Sequence, residues 1–140
     1  MQLIKKNTEY ALKALFFLYG SGPALKSLNE IAAGMEIPKY LLRRLMQILG
    51  GADIVKAVSG AQGGYELSQQ FEVITLYELM TLMQGEFVLN NCFMEGDDCG
   101  FKSKCPIKPK LTKIQSELED TLRSVTVREL AEAFKNKGRA

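Results

Sequence analysis

Apolar residues recur at two different periods along this 140-residue chain, and the switches between them mark out its elements. Leu12, Leu15, Phe16 and Tyr19 fall three or four apart, which predicts a helix over residues 8–19 that Gly20 and Gly22 close. Ser27 and Glu30 have the spacing of a capping box, so a second helix is expected to start at Leu28 and stop near Gly34. Pro38 suits the first turn of a third helix, which runs to Gly50 and Gly51. Two helices joined by a tight, glycine-containing turn form a helix-turn-helix. Strand-like runs follow at residues 54–58 and 65–67, linked by the glycine-rich stretch 59–64, and a hairpin in that place is a wing. "ITLYELMTLMQGE" returns to the helical period, with Leu76, Leu79, Met80 and Met83 facing inward. In "PKLTKIQSELEDTLRSV", Leu111, Ile114, Leu118 and Leu122 make a narrow apolar seam between charged flanks. Thr126 with Glu129 caps a last short helix through Leu130 and Phe134, and the final "KNKGRA" reads as frayed. The predicted class is mainly α with a small β-hairpin wing: a winged helix-turn-helix domain followed by a long helix.

The third helix carries the sharpest functional signal. At about 100° per residue, Leu41, Leu42, Leu45, Met46, Ile48 and Leu49 fall on one side, and Lys39, Tyr40, Arg43, Arg44 and Gln47 on the other. A merely solvated face usually mixes acids with bases, and this one has no acid. Bases with Tyr and Gln are the side chains that reach phosphates and base edges in a major groove, so double-stranded DNA is the expected partner. The wing tip, with Ser59, Gly60 and Gln62, would let backbone approach the same surface. The late apolar seam is of the width that usually meets another helix. A second copy of the chain is its expected source, which makes residues 109–123 a dimerisation helix, and packing within one protomer is the competing account.

Charge divides unevenly. Residues 1–65 carry eight Lys/Arg against four Asp/Glu, residues 66–100 carry seven acids and no base, and residues 101–140 carry ten bases against five acids. The basic ends suit a polyanion and the acidic middle does not. That middle ends in the loop "NNCFMEGDDCGFKSKCP", which holds all three cysteines, Cys92, Cys99 and Cys105, in a chain without histidine. The N-terminus resembles a signal peptide at first glance, but Glu9 and Lys13 interrupt its apolar stretch, so it reads as an amphipathic helix. No stretch approaches the length of a membrane span, and a reducing cytoplasmic setting is expected. There, clustered thiols point to a metal or redox site. The paired Cys-x-x-Cys knuckles of zinc modules are absent, whereas iron–sulfur clusters are held chiefly by cysteine thiolates, usually four. With three, the fourth ligand would be a carboxylate, a serine or tyrosine oxygen, or an outside molecule. Three inert or merely oxidisable cysteines fit the same spacing. No catalytic constellation is present, so an enzyme is not expected.

The run "MQLIKKNTEYALKAL", the helix-turn-helix, the wing ending "GGYEL", the Cys-x6-Cys-x5-Cys loop and the late amphipathic helix occur in that order. Over nearly its whole length the chain resembles the Rrf-type winged-helix regulators, the group that includes IscR, NsrR and RirA. In those proteins an iron–sulfur cluster in the cysteine loop is reported to alter DNA binding. The resemblance implies a homodimeric transcriptional regulator with Cys92, Cys99 and Cys105 as ligands of a [2Fe-2S] or [4Fe-4S] cluster. It implies a winged domain over 1–84, a cluster loop over 85–108 and dimerisation and C-terminal helices over 109–140. IscR-like members take a histidine just after the third cysteine, where Lys108 stands here; NsrR-like members use an acidic residue early in the first helix, contributed by the partner subunit, and Glu9 matches it. The wing departs from the usual "VRGPGGGY": Ser59 replaces an arginine, Ala61 a proline and Gln62 a glycine. Two rival readings are a DNA-binding regulator without a cluster, worked by a thiol switch or a protein partner, and an iron–sulfur carrier or scaffold.

Overall fold

The computed structural model describes residues 2–90 and 104–138. Its elements run α1 (Lys6–Gly20), α2 (Leu28–Met35), α3 (Lys39–Gly51), β1 (Val55–Val58), β2 (Gly64–Leu67), a 3-10 turn (Gln69–Glu72), α4 (Leu76–Gln84), α5 (Lys108–Arg123) and α6 (Val127–Lys137). The expected order of helices and hairpin is observed. The last helix extends through Lys137, beyond the point where the sequence suggested fraying, and the short turn over Gln69–Glu72 was not anticipated.

α1 lies at the centre, packed by α2, α3, α4, α6 and β2. Its buried face is Thr8, Ala11, Ala14, Leu15 and Leu18. This stripe is displaced from the one read off the large residues: Leu12, Phe16 and Tyr19 are only partly buried at its flank. The alanines explain the difference, since small side chains let neighbouring helices come close and the larger ones then fill the margins.

The helix-turn-helix closes on Glu36, which takes the left-handed conformation (φ 55°) as the C-cap of α2. Gly34 is not the turn residue that its type suggested. It lies in the last turn of α2, where a Cβ would run into the Phe17 ring, 2.9 Å from Cδ2. Close helix packing, not backbone conformation, accounts for that glycine.

Three helices start with reciprocal capping boxes, Ser27 with Glu30, Thr75 with Glu78 and Thr126 with Glu129. Backbone bonds also join two of those starts: the Leu76 N–H donates to the Val125 carbonyl (2.8 Å) and the Val127 N–H to the Ile74 carbonyl (3.0 Å). α6 is thereby returned to the winged core, where Val127 and Ala131 are buried, Phe134 stacks on Phe16 and the Tyr19 hydroxyl donates to Glu132. α5 instead packs on α4. Among the described residues no helix is long and apolar enough to cross a membrane.

Gly34→Ala tests the close packing. The added methyl should cost about 1–3 kcal/mol in overpacking, offset by about 1 kcal/mol of helix propensity. A lower urea midpoint is expected, and an unchanged or raised one would refute the packing account.

Candidate nucleic-acid interface and cysteine loop

α3 presents two faces of opposite chemistry. Leu42, Leu45, Met46 and Leu49 are buried in the core, while Lys39, Tyr40, Arg43, Arg44 and Gln47 are all exposed, Tyr40 to 80%. Among the described residues Lys39, Arg43 and Arg44 enter no ion pair. The helix start also differs from those of α2, α4 and α6. Its N-cap is Pro38, with no side-chain cap and no acid in the first turn. The N–H groups left unpaired at a helix start carry partial positive charge, which adds to that of the bases.

The wing is built by its glycines. β1 and β2 pair antiparallel from Val55↔Leu67 to Val58↔Gly64. At the tip Ser59, Gly60, Ala61 and Gln62 are exposed, Gly60 adopts φ 113°, and the Gly63 N–H donates to the Gly60 carbonyl (3.0 Å). A Cβ on Gly63 would collide with the Val58 carbonyl oxygen, and one on Gly64 would sit 2.7 Å from the Lys26 carbonyl oxygen. That second approach exists because the chain before α2 is a short third edge of the sheet. The Tyr65 N–H donates to the Lys26 carbonyl (2.8 Å), and the Lys26 N–H donates back to the Tyr65 carbonyl (3.1 Å). Sequence reasoning missed Lys26; the doubled glycine before Tyr65 was the available signal.

Cys92 and Cys99 lie outside the described residues. Cys105 is a free, half-buried thiol just before α5. Glu9, one turn into α1, is held between Lys6 and Lys13, each 3.2 Å from a carboxylate oxygen. Hydrogen bonds from Lys6 and then Lys13 hold its carboxyl below the usual glutamate range, so it stays an anion. Glu9 also lines a groove of about 530 Å³, with Ile4, Leu12, Phe16, Met35 and Phe134. On α5, Ile114 is 50% exposed, Leu111 and Leu118 are half-buried, and Ile107 just before the helix is 61% exposed. Leu122 departs from the expected seam: at 6% exposure it is already part of the protomer's own packing. The open apolar surface of α5 is therefore its N-terminal half.

The model of a transcriptional-regulator family, "Rrf2: Iron-dependent Transcriptional regulator", matches residues 4–133. The chain belongs to the Rrf2 family of transcriptional regulators. Among curated Rrf2-like relatives, the transcriptional regulator NsrR of Oceanobacillus iheyensis is 29% identical over 129 residues, covering 91% of this chain and 88% of the relative. The solved structure of CymR, titled the global cysteine regulator of B. subtilis, superposes with a TM-score of 0.75 at 25% identity, over 95% of this chain and 98% of that one. T. potens IscR superposes with a TM-score of 0.67 at 26% identity, over 93% and 86%. The winged-helix architecture read from the sequence is thus that of Rrf2 regulators, and the NsrR and CymR relatives are named as regulators.

Gly64→Ala would part Lys26 from Tyr65. Loss of these two backbone bonds should destabilise the protein by about 1–3 kcal/mol and speed hydrogen exchange at the Tyr65 amide. Wild-type exchange at that amide would show that the third edge does not hold the wing.

Proposed function

We propose that this Rrf2 regulator acts in the cytoplasm as a homodimer that reads double-stranded DNA with α3 and the wing, under the control of the cysteine loop. The observation that carries the DNA reading is the acid-free basic face of α3, without ion pairs among the described residues, beside an exposed glycine-bearing wing tip. Arg43, Arg44 and Gln47 stand on the exposed face for base edges, and Lys39, Tyr40 and the backbone of Ser59, Gly60 and Gln62 for phosphates. The exposed part of the α5 seam, Ile114 with Leu111 and Leu118, joins two copies, so that two reading heads address successive major grooves roughly 34 Å apart.

The donors suit an iron–sulfur cluster. Three thiols come from one short loop, Cys105 is free and unpaired with another cysteine, and Glu9 supplies a carboxylate kept ionised by its lysines. Cys92, Cys99, Cys105 and the partner's Glu9 would hold it, and a bound cluster supplies a centre that responds to oxidation, nitric oxide or iron supply. The chain's own part is mechanical. Cys105 sits at the root of α5 and Glu9 in the first turns of α1, so tying or freeing these side chains acts on the dimer helix and on the winged core together. The family description as iron-dependent supports this reading. A second reading, a regulator worked by its thiols without a cluster, is favoured by one observation: the similar CymR is titled a cysteine regulator.

Anaerobically purified protein should contain stoichiometric iron and acid-labile sulfide, and Glu9→Gln should retain both less well. Protein free of sulfide that still changes DNA affinity on thiol oxidation would select the second reading. Arg43→Ala should weaken operator binding by about 1–3 kcal/mol, or about 5- to 150-fold, and relax preference at one base pair. Uniform weakening across all sequences would reassign Arg43 to the phosphates.

A further inference from the structure

Gln84 is the last residue of α4 and opens the path from the winged core towards the cysteine loop. Its side-chain carbonyl Oε1 accepts from the Thr8 hydroxyl (2.6 Å) and from the Lys5 N–H (3.1 Å), and its Nε2 donates to the Leu3 carbonyl (3.0 Å). α1 has no side-chain cap of its own, its N-cap position being Lys5. A helix start leaves N–H groups without intrahelical partners, and a nearby Ser, Thr, Asp or Asn usually accepts from one. Here a residue 79 positions away in sequence does it. The arrangement reaches one turn further, since the Glu9 N–H donates to the Lys5 carbonyl (3.0 Å). Thr8 is fully buried, so the amide of Gln84 also satisfies a hydroxyl that has no access to water.

A second amide holds the same path a few residues on. Gln115 of α5 accepts from the Leu89 N–H (2.7 Å) and donates to the Phe87 carbonyl (2.8 Å) and to Glu119 (2.7 Å). The chain between α4 and residue 90 is thus anchored at one end to the start of α1 and at the other to α5. Packing of apolar side chains would hold such a segment loosely along its length, whereas these hydrogen bonds fix it at two points with defined direction.

We propose that Gln84 is a positioning residue: it sets the first turn of α1, and with it Glu9, relative to the root of the cysteine loop. A change in the ligand state of the loop thereby reaches the winged core through this amide. The inference rests on the control function proposed above and adds the route by which it acts.

The test compares wild type with Gln84→Met, which removes all three bonds at nearly constant side-chain length, and Gln84→Glu, which keeps the acceptor for Lys5 and Thr8. Gln84→Asn, too short to reach α1, replaces the Met variant should that fail to fold. Each protein is prepared empty and after anaerobic reconstitution with iron and sulfide. Three measurements follow: hydrogen exchange of the 2–10 peptide, visible circular dichroism, and the ratio of DNA affinities in the two states. In wild type, exchange in that peptide should differ between states. In Gln84→Met it should be faster in both by about tenfold or more, as expected for losing three hydrogen bonds at the low end of ordinary net strength. The affinity ratio should fall towards one in Gln84→Met and be retained in Gln84→Glu, with an altered cluster dichroism in the Met variant only. A Met variant with the wild-type exchange difference and affinity ratio overturns the proposal while leaving the control function standing. If wild type takes up no iron or sulfide, the cluster reading fails and the exchange comparison is made between reduced and iodoacetamide-alkylated protein. A difference present in wild type and absent in Gln84→Met then supports the route, and equal or absent differences overturn it.

Discussion

The structure depends on the close approach that Ala11 and Ala14 permit along α1. With Leu15 and Leu18 they form the buried stripe of α1, the helix on which α2, α3, α4, α6 and β2 converge. Interiors packed at crystal-like density transmit displacement instead of absorbing it. The helices α3, α4 and α6 are therefore all located by one object. A larger side chain at either alanine would part several of these elements at once, which makes the stripe less tolerant than its modest residue sizes suggest.

Five of the sixteen acidic side chains serve helix starts and ion pairs away from α3. Glu30, Glu78 and Glu129 complete capping boxes, Glu9 lies between two lysines and Glu72 accepts from Arg128 (2.9 Å). α3 and the stretch from Val55 to Tyr65 contain none. With Glu36 and Asp53 outside α3 at its two ends, the exposed face of that helix remains basic in a chain of only +2 net charge. Of the acids that follow Tyr65, Glu66 stands in β2 opposite Lys56.

Helical and strand periods were enough to find each α-helix and both strands among the described residues, because each amphipathic element repeats its own pattern locally. Capping residues located the starts of α2 and α6 for the same reason. What stayed hidden depends on partners distant in the chain. Gly34 reads as a turn until the Phe17 ring is seen beside it, and Glu36, an unremarkable residue by type, takes the left-handed cap instead. Lys26 joins the sheet through its backbone, to which side-chain patterns are blind. The destination of α6 was equally illegible, since an apolar stripe does not say which surface it will cover; the Phe16–Phe134 stack decides it. Leu122 and Ile114 share one periodicity, yet one is enclosed by the protomer and the other left open. For the site, residue type and spacing singled out the α3 face and the thiols, while the amides of Gln84 and Gln115 offered no local pattern at all.

The Lys26–Tyr65 ladder has a consequence for how such a head can move. Because Lys26, just before α2, both donates to and accepts from Tyr65, the start of the helix-turn-helix and the wing are joined through backbone and not only through side chains. Swinging the hairpin away from the start of α2 would break both of those bonds.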